Sequence, residues 1–418
     1  MKFGLRNVRA LLRSMRNPER AFRTIHIAGS NGKGSTAAMI ASVLSACGYR
    51  TGLYTSPHLV SFVERIRIDG VPISEQELSR GVRRIRRGVE RTGATFFEAA
   101  TAIAFDYFRN QRIDIGVIET GLGGRLDATN VLRPMASVIT TISREHTQIL
   151  GNLIGEIAYE KGGIIKAGIP CYTSVDSPTA LNVLSKIAEA RKARLVSTRK
   201  WKMNVMEESL EGSVVDVVRR GGSVLKDLRI GLAGRHQLTN ALLALITVED
   251  LTQRGTIQVD EASIRKGLRQ VGKRSGLRSR LTLVRKRPDV IADVAHNPAA
   301  VSALVDSLLQ LGWSNIVGVF GVMKDKEYRR MIDALAPVLA GVIVVQPSTG
   351  RSLPGDVAAN EFRRRGIPVL FQGTVAEGIR RGIAMTGKRG RILITGSHFV
   401  VGEALASLEG KKYLTIDQ

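Results

Sequence analysis

The stretch HIAGSNGKGSTAAMIASVLSACG, residues 26–48, joins a short apolar run, a glycine-rich loop and a helix-like segment. The loop contains three glycines, Gly29, Gly32 and Gly34. Glycine adopts backbone angles that other residues avoid, so amide groups there can approach a polyphosphate closely. Lys33 would extend toward the β and γ oxygens as a point charge, and Ser35 or Thr36 would meet phosphate or magnesium at the helix start. The stretch therefore predicts a phosphate-binding loop.

A glycine-rich turn can also be a plain connection between a strand and a helix, so the flanking sequence matters. Apolar residues recur at steps of three and four from Met39 to Cys47, which predicts a helix after the loop. Gly48 follows where a C-terminal cap belongs. The order of strand, loop and helix is the context that a phosphate loop requires.

Length and cysteine content bound the class of protein. A chain of 418 residues is long for one hydrophobic core and predicts two domains. The longest apolar runs, such as 341–345 and 367–371, are far shorter than the roughly 20 residues of a membrane-spanning helix, so no membrane partner is expected. The two cysteines, Cys47 and Cys171, are too few for a disulfide framework. They are expected to be small core residues in a reducing cytoplasm.

The formal net charge of +25 raises the alternative of a nucleic-acid partner, because phosphate backbones attract basic surfaces. The arginines are scattered, as in 83–91, 285–288 and 363–365, without a stripe of aromatic residues for base stacking. High solubility, or a host under heat or salt stress, would give the same composition. We therefore expect no nucleic-acid site.

Residues 5–16 are arginine-rich, free of acidic residues and amphipathic. Such a segment can be a transit peptide. We expect instead a structural helix against the first sheet, because Asn17-Pro18 ends it just before the first predicted strand.

Strand-like and helix-like segments alternate along the rest of the chain, which predicts an α/β fold with a mainly parallel sheet and helices on both faces. Ligands of such sheets gather at the carboxyl ends of the strands. Glu119 follows the predicted strand 114–118, His146 follows 136–142, and the phosphate loop follows 24–28. Magnesium takes oxygen ligands and commonly bridges phosphates to carboxylates. These positions together predict a nucleotide site with a hard cation.

Over almost its whole length, the chain resembles the bacterial folylpolyglutamate synthase and dihydrofolate synthase family of the Mur ligase superfamily. The extra glycine between Lys33 and Ser35 separates this loop from the usual form and is typical of such ATP-dependent ligases. The matching motifs, in order, are FGLRNVRALL, HIAGSNGKGST, GLYTSPHLVSFVERIRIDG, TFFEAATAIAFDYF, ETGLGGRLDATNV, EHTQILG, EKGGIIKAGIP, GRHQLTNA, DVAHNPAA, GVMKDKEY and TGSHFVVGE.

The resemblance implies an N-terminal P-loop ATPase domain, residues 1–278, and a smaller C-terminal Rossmann-like α/β domain, residues 279–418, with the active site between them. It implies ATP contacts at Gly29, Asn31, Gly32, Lys33, Gly34, Ser35, Thr36, Asn240, Arg280, Asp293 and His296. It implies two magnesium ions, held by Ser56, Glu119, His146 and Lys161. Lys33, Lys161 and His146 would be the catalytic residues.

The resemblance also implies that Lys161 carries a carbamate, whose negative charge could face magnesium where an amine would repel it. From its own surroundings in the sequence, Lys161 reads as a solvated helix lysine. The remaining implied contacts are with substrates. A pterin ring would lie against Phe97, Asp127 and Ala128, and the incoming glutamate would lie near His296 and Ser397.

The implied activity is ATP-dependent addition of L-glutamate to dihydropteroate, to folylglutamates or to both, by a cytoplasmic monomer with small-molecule substrates. Ala128, in GGRLDATN, favours the bifunctional form. A Mur-type ligase acting on a peptidoglycan precursor, and a nucleic-acid-binding protein switched by ATP, remain alternatives. Several positions depart from the family pattern: Thr120, Ser143-Arg144-Glu145, Gly162 and Arg278-Ser279. Those near His146 and Lys161 bear on the second metal site.

Overall fold

The computed structural model describes residues 4–219 and 221–413, which form an N-terminal α/β body, a small antiparallel sheet and a C-terminal α/β body. The N-terminal body contains β1 Arg23–Ala28, β2 Thr51–Tyr54, β3 Ile66–Ile68, β4 Val71–Pro72, β5 Ile115–Glu119, β6 Ala136–Ile139, β7 Cys171–Thr173 and β8 Leu195–Ser197. Its helices are α1 Arg6–Ser14, α2 Lys33–Ala46, α3 Glu75–Thr92, α4 Phe96–Asn110, α5 Thr147–Leu150, α6 Ile154–Gly162 and α7 Pro178–Ala190.

The small sheet consists of β9 Lys202–Ser209, β10 Gly212–Val218 and β11 Val224–Ile230, and is followed by α8 Arg235–Gln253, α9 Glu261–Arg269 and α10 Val271–Ser275. The C-terminal body contains β12 Thr282–Arg285, β13 Asp289–Ala292, α11 Pro298–Gln310, β14 Ile316–Phe320, α12 Tyr328–Leu335, β15 Leu339–Gln346, α13 Gly355–Arg364, β16 Val369–Thr374, α14 Val375–Thr386, β17 Arg391–Thr395 and α15 His398–Leu408.

Both large sheets are mainly parallel, as the alternation of elements predicts. The first has the order β4-β3-β2-β5-β1-β6-β7-β8, and antiparallel pairing is confined to the edge strands β3 and β4. The second has the order β12-β13-β17-β14-β15-β16, with β12 antiparallel. Parallel strands need crossover connections, and the helices that make them cover the sheet faces.

Strand β1 lies between β5 and β6 in the middle of the first sheet. The loops after these three strands therefore meet at one edge, where the sequence predicts ligands. The predicted strand 136–142 is shorter than expected, since β6 ends at Ile139 and the chain then turns toward the phosphate loop.

Helix α2 is buried continuously from Ser35 to Leu44, because α8, α9 and α10 cover the face that the sheet leaves free. The apolar residues of the small sheet join the same core as α2 and α8. The sequence analysis did not predict this small sheet, although residues 212–218 and the glycine pair at 221–222 are typical of a hairpin.

Helix α1 packs Val8, Leu11 and Leu12 into the core beside α3 and α4, so the segment 5–16 contains a structural helix here. Cys171 is fully buried, as expected, but Cys47 is only half-buried at the end of α2. No helix in the described ranges is both long enough and apolar enough to cross a lipid bilayer. The connection between α10 and β12 spans 276–281 and contains the predicted domain boundary at 278, which stays a prediction.

Candidate active site

The phosphate loop connects β1 to α2 and can be built only with glycine at two positions. Gly29 has a φ of +151°, and a Cβ there would lie 1.8 Å from Thr140 Oγ1. Gly32 has a φ of +84°, and a Cβ there would lie 2.2 Å from Asn240 Oδ1. Both distances are far below van der Waals contact. The loop is therefore packed tightly against its neighbours before any ligand arrives.

The end of β6 holds the phosphate loop in place through hydroxyl groups. Thr140 Oγ1 donates to the carbonyl of Asn31 at 2.7 Å, and the amide of Asn31 donates to Thr141 Oγ1 at 3.2 Å. The amide of Ser30 donates to the Thr141 carbonyl at 2.7 Å. Sequence reasoning missed these threonines, because nothing in their local pattern indicates that they face the loop.

Lys33 lies at the first turn of α2, and its ammonium bends back over the loop. Nζ donates to the carbonyls of Gly29 at 2.9 Å and Ser30 at 3.0 Å. The side chain is half-buried. This places a cation where a phosphate at the helix start would need one, next to the positive end of the helix dipole.

Glu119 ends β5 and points at the start of α2. A Cβ on Gly34 would lie 3.6 Å from Glu119 Oε2 and 3.6 Å from Arg280 Nη2, so this carboxylate and this guanidinium flank the helix start. Glu119 Oε2 accepts from the backbone amide of Ser56 at 3.1 Å. Burial raises the pKa of Glu119 to about 6, and the nearby positive charge of Lys33 offsets only part of this rise. Ser56 therefore contacts Glu119 through its backbone amide and not through its hydroxyl group.

Lys161 is buried, at 1% exposure, and not a solvated surface lysine. Its Nζ donates to Glu145 Oε1 at 2.7 Å and to the Gly29 carbonyl at 2.8 Å, so it ties α6 to the phosphate loop. Burial lowers the pKa of Lys161, although Glu145 opposes this. Glu145 was not among the predicted site residues. Burial alone would raise the pKa of its carboxyl group. The positive charges of Lys161 and Lys33 outweigh burial and hold that pKa well below its ordinary value.

His146 is the N-cap residue just before α5, with a φ of +47°, and lies beside the same cluster. Its pKa is lowered to about 4, first by burial and then by the charge of Lys326, which belongs to the C-terminal body. His296 and His398, also from that body, have ring centroids 5.0 Å apart. The sequence analysis did not single out Lys326 or His398, because their role depends on the approach of the two bodies.

The two bodies touch directly at the phosphate loop. Asn297 Nδ2 donates to Asn31 Oδ1 at 2.9 Å, and Asn31 Nδ2 donates back to Asn297 Oδ1 at 3.3 Å. Asn297 also caps α11, accepting from the Ala300 amide at 2.9 Å. The predicted ATP residue Asn31 therefore uses its side chain for an interdomain contact.

Three predicted C-terminal residues make supporting contacts. The carboxylate of Asp293 accepts from the amides of Leu281 and Ala295, both at 2.8 Å, and so holds the connection beside Arg280. Ser397 caps α15 by accepting from the Val400 amide at 3.1 Å. His296 Nδ1 donates to the Val294 carbonyl at 2.9 Å. Their predicted ligand contacts stay predictions.

Asn240 and Thr36 meet behind the phosphate loop. Thr36 Oγ1 lies 3.5 Å from Asn240 Oδ1, and Asn240 Nδ2 donates to Gln237 Oε1 at 3.0 Å. Ser35 and Thr36 are both buried at the start of α2. These residues lie around the loop, and their contacts to ATP stay predictions.

The three residues predicted to bind a pterin lie around one loop. Asp127 accepts from the amides of Gly121 and Leu122, both at 2.9 Å, so its carboxylate organises the ETGLGG turn. The ring of Phe97 packs on Gly121, where a Cβ would lie 2.4 Å from Cζ. Ala128 is only 6% exposed inside the hydrophobic core, so it leaves less open space than its small size suggests. The pterin assignment stays a prediction.

The metal ligands predicted near the phosphate loop include both oxygen and nitrogen donors. Within residues 4–219 and 221–413, His, Cys, Asp and Glu side chains form no group of three or more that could hold a metal ion. Of the predicted metal ligands, Glu119 faces the start of α2, and the lowered pKa of His146, about 4, leaves its imidazole neutral at pH 7.

Models of two families match the chain: the Mur ligase middle domain over residues 27–248 and the Mur ligase glutamate ligase domain over residues 279–398. The dihydrofolate synthase/folylpolyglutamate synthase of Bacillus subtilis is 38% identical over 346 residues, which cover 81% of this chain and 80% of that protein.

Two solved structures are similar over nearly the whole chain. Folylpolyglutamate synthase of Mycobacterium tuberculosis, complexed with ADP and AMPPCP, has a TM-score of 0.88 at 32% identity and covers 98% of this chain and 96% of its own. E. coli FolC in complex with DHPP and ADP has a TM-score of 0.87 at 26% identity, with 98% and 94% covered. The chain belongs to the dihydrofolate synthase/folylpolyglutamate synthase family of the Mur ligases.

Proposed function

We propose that this protein is an ATP-dependent amide ligase that adds L-glutamate to dihydropteroate and, as a second activity, to reduced folates. The observation that carries the proposal is the phosphate loop with Lys33 above it, Glu119 beside it and Asn297 of the other body across it. The Bacillus subtilis relative bears the names of both activities, and the two similar structures hold ADP, which supports these substrates.

The chemistry explains why ATP is needed. A carboxylate is a poor acyl donor, so one of its oxygens first attacks the γ-phosphorus of ATP, and ADP leaves with the electron pair of the broken P–O bond. The neutral amine of glutamate then attacks the acyl carbon of this acyl phosphate. Inorganic phosphate leaves with the electron pair of the C–O bond, and the amine loses a proton. No nucleophilic serine or cysteine is required.

The protein's contribution is to position the reactants and to neutralise charge. Lys33, the first residue of α2, and Arg280, in the connection 276–281, both lie at the start of α2 and would stabilise the phosphoryl group as it transfers. Because the site is divided between the bodies, their closure would exclude water and delay ATP hydrolysis until substrates are bound. The other ATP contacts in the proposal are those that the family resemblance implies.

Magnesium is part of the proposal, with two ions. Glu119 and Ser56 would hold the first, and Glu119 with His146 the second. The carboxylate of Glu119 faces the helix start, and the lowered pKa of His146, about 4, keeps a ring nitrogen free to bind metal at neutral pH. When bound, the ions would neutralise phosphate charge.

A carbamate on Lys161 is also proposed. Carbon dioxide reacts with a neutral amine, whose nitrogen forms a bond to the carbon as one proton is released. Burial lowers the pKa of Lys161 and so favours that neutral amine, although the Glu145 carboxylate 2.7 Å away opposes this change. The product would be an anion beside the phosphate loop, since Nζ now lies 2.8 Å from the Gly29 carbonyl.

The remaining parts of the proposal concern the substrate contacts, the cellular compartment and the oligomeric state. Phe97, Asp127 and Ala128 would surround the pterin, and His296 and Ser397 would contact the incoming glutamate. A cytoplasmic monomer is proposed; the free thiols of Cys47 and Cys171 are compatible with a reducing compartment. Gel filtration with light scattering tests the monomer.

The function is tested by ADP release from the purified protein with ATP and magnesium. Dihydropteroate plus glutamate and tetrahydrofolate monoglutamate plus glutamate should both support turnover. Turnover with the second pair alone would leave a folylpolyglutamate synthase of single activity. Turnover with neither pair, but with a peptidoglycan precursor, would reject the folate assignment.

A further inference from the structure

A chain of side-chain contacts leads from the phosphate loop along the start of α8 to the C-terminal body. Asn240 Oδ1 lies against Gly32, where a Cβ would be 2.2 Å away, and 3.5 Å from Thr36 Oγ1. On its other side, Asn240 Nδ2 donates to Gln237 Oε1 at 3.0 Å. Gln237 and Asn240 are only 1% and 3% exposed, so bulk water does not compete for these contacts.

His236 is the next member of this chain. Its Nε2 lies 3.0 Å from Gln237 Nε2. Because the oxygen of the Gln237 carboxamide already faces Asn240, the group that faces the imidazole is the amide nitrogen. An amide nitrogen only donates, so Nε2 of His236 is the unprotonated nitrogen that accepts. A neutral His236 in this arrangement therefore carries its proton on Nδ1.

The C-terminal body requires the same tautomer. Ser307, on α11, is buried, and its hydroxyl donates to the Ala303 carbonyl at 2.7 Å. With that proton used, Ser307 Oγ can only accept, and it lies 3.5 Å from His236 Nδ1. Gly234 allows the two side chains to meet, since a Cβ there would lie 2.8 Å from His236 Cε1 and 3.0 Å from Ser307 Oγ. Contacts on both sides of the ring thus place the proton on Nδ1.

The chain has a direction, because each carboxamide presents its oxygen to one neighbour and its nitrogen to the other. With the proton on Nδ1 of His236, Gln237 donates to the ring and Asn240 donates to Gln237. The oxygen of Asn240 is then left facing Gly32 and Thr36. A proton on Nε2 would have to donate instead, so both carboxamides would turn over and the nitrogen of Asn240 would face the phosphate loop.

The surroundings of His236 favour the neutral ring. Burial lowers its pKa, the carboxylate of Asp293 opposes this change, and the guanidinium of Arg280 adds to it. On its own helix, the neighbouring Arg235 is paired with Glu208 of β9 at 3.1 Å. Helix α11 presents an uncharged hydroxyl to the ring. The imidazole is therefore neutral at pH 7 and gains its second proton only below its ordinary pKa of 6.5.

We propose that His236 is a positioning residue for the nucleotide: it fixes the carboxamides of Gln237 and Asn240 in one orientation, and protonation of the ring reverses both. The proposal deepens the proposed function and rests on it, since Asn240 is one of the predicted ATP contacts. Binding of ATP, and not of the acceptor or of glutamate, then depends on the protonation state of His236.

His236→Phe and His236→Gln test the positioning role together. Phenylalanine keeps a ring but offers no acceptor to Gln237, so the KM for ATP at pH 7 should rise about 3- to 10-fold, as expected for one lost hydrogen bond. The KM values for acceptor and glutamate, and kcat, should change less than about twofold. The glutamine carboxamide accepts from Gln237, so His236→Gln should restore the KM for ATP.

Nitrogen-15 NMR of the imidazoles gives a readout that needs no turnover. The signals of His236 are those among the six histidines that disappear in His236→Gln. At pH 7 they should show a protonated Nδ1 and an unprotonated Nε2. A protonated Nε2 at this pH would overturn the proposal, because the Gln237 carboxamide would then have to face the ring with its oxygen.

The effect of the proton is tested by the KM for ATP on either side of the pH at which NMR shows His236 to become protonated. The wild-type KM should rise across this pH more than that of His236→Gln, whose carboxamide does not titrate. Glu119 and His146 also titrate below neutral pH, but both are present in the two proteins, so the ratio of the two KM values isolates His236. A constant ratio would overturn the proposal.

Thr247→Val is the matched control, since it removes a buried hydroxyl group from the same helix outside the chain, and its KM for ATP should follow the wild type at each pH. Equal weakening of ATP binding in His236→Phe and His236→Gln would make His236 a structural residue and overturn the proposal. Wild-type protein that turns over folate substrates while His236→Phe has the same KM for ATP overturns the positioning role alone. Wild-type protein that neither binds ATP nor uses it overturns that role together with the proposed function.

Discussion

The contact between Asn31 and Asn297 should couple closure of the two bodies to the use of ATP. It is a reciprocal amide pair, with N–O distances of 2.9 and 3.3 Å, and it joins the phosphate loop to the first turn of α11. If the bodies open, both hydrogen bonds break. If this closed arrangement is the one that turns over, the pair stabilises the productive state.

The size of the effect follows from the two bonds. A neutral hydrogen bond contributes about 0.5–1.5 kcal/mol net, so the pair contributes about 1–3 kcal/mol. That corresponds to a loss of about 5- to 150-fold in kcat/KM for ATP when the pair is removed. Asn297 also caps α11, and losing a cap costs about 1 kcal/mol by itself, so the substitution must keep it.

A double-mutant cycle isolates the contact. Asn31→Ala removes one partner, and Asn297→Ser keeps a hydroxyl that can cap α11 but is too short to reach Asn31. The single and double variants are compared in kcat/KM for ATP at saturating acceptor and glutamate, and a coupling energy of about 1–2 kcal/mol is expected. Asn31→Ala combined with Asn360→Ala, at an exposed position on α13, serves as the uncoupled control.

Additive effects of Asn31→Ala and Asn297→Ser, within about 0.5 kcal/mol, would refute the reasoning. In that case the amide pair would be a contact of the resting protein without a role in turnover. Coupling of the same size in the control pair would show that the measurement reports general destabilisation.

Three other outcomes are expected. Lys33→Ala should lower turnover at least about 100-fold with an unchanged circular dichroism spectrum, because it deletes the charge over the phosphate loop; near-normal activity would remove Lys33 from the mechanism. Burial, with a smaller effect of Lys166, lowers the pKa of His26 from 6.5 to about 3. The folded state therefore holds His26 neutral while the unfolded state gains a proton below pH 6.5, so the free energy of unfolding should fall on acidification through this window by up to about 1.4 kcal/mol per pH unit. Urea titrations of the wild type and His26→Asn at pH 7 and pH 5 test this, and equal pH dependence would contradict it. Any nucleic-acid binding should be weak and steeply salt-dependent, as expected for contacts to phosphates alone; filter binding that is tight and sequence-selective at physiological salt would favour a nucleic-acid role.

Several predictions from the sequence are confirmed at the level of single elements. The strand 24–28 corresponds to β1, Arg23–Ala28, and the following helix corresponds to α2, Lys33–Ala46. The family, the mainly parallel sheets and the ligase class follow from motifs that are contiguous in the chain. Such motifs can be read because their conformation depends on near neighbours.

Other features cannot be read from the local sequence, because burial depends on distant segments. Lys161 reads as a surface lysine from its own helix, yet α6 places it against the phosphate loop and Glu145. Ala128 suggests open space by its size, but the surrounding core encloses it. Phe96 and Phe97 are adjacent in the sequence, and only the packing of α4 decides which ring faces outward.

The sequence by itself determined the phosphate loop, because glycine, lysine and hydroxyl residues at fixed spacing already set its backbone and its charge. Only the tertiary structure decided which side chains complete it. Asn31 and Asn297 are 266 positions apart, and no local pattern relates them. The burial of Arg65, which is only 1% exposed, is likewise a property of packing, since whether a charged side chain is enclosed depends on every segment that surrounds it.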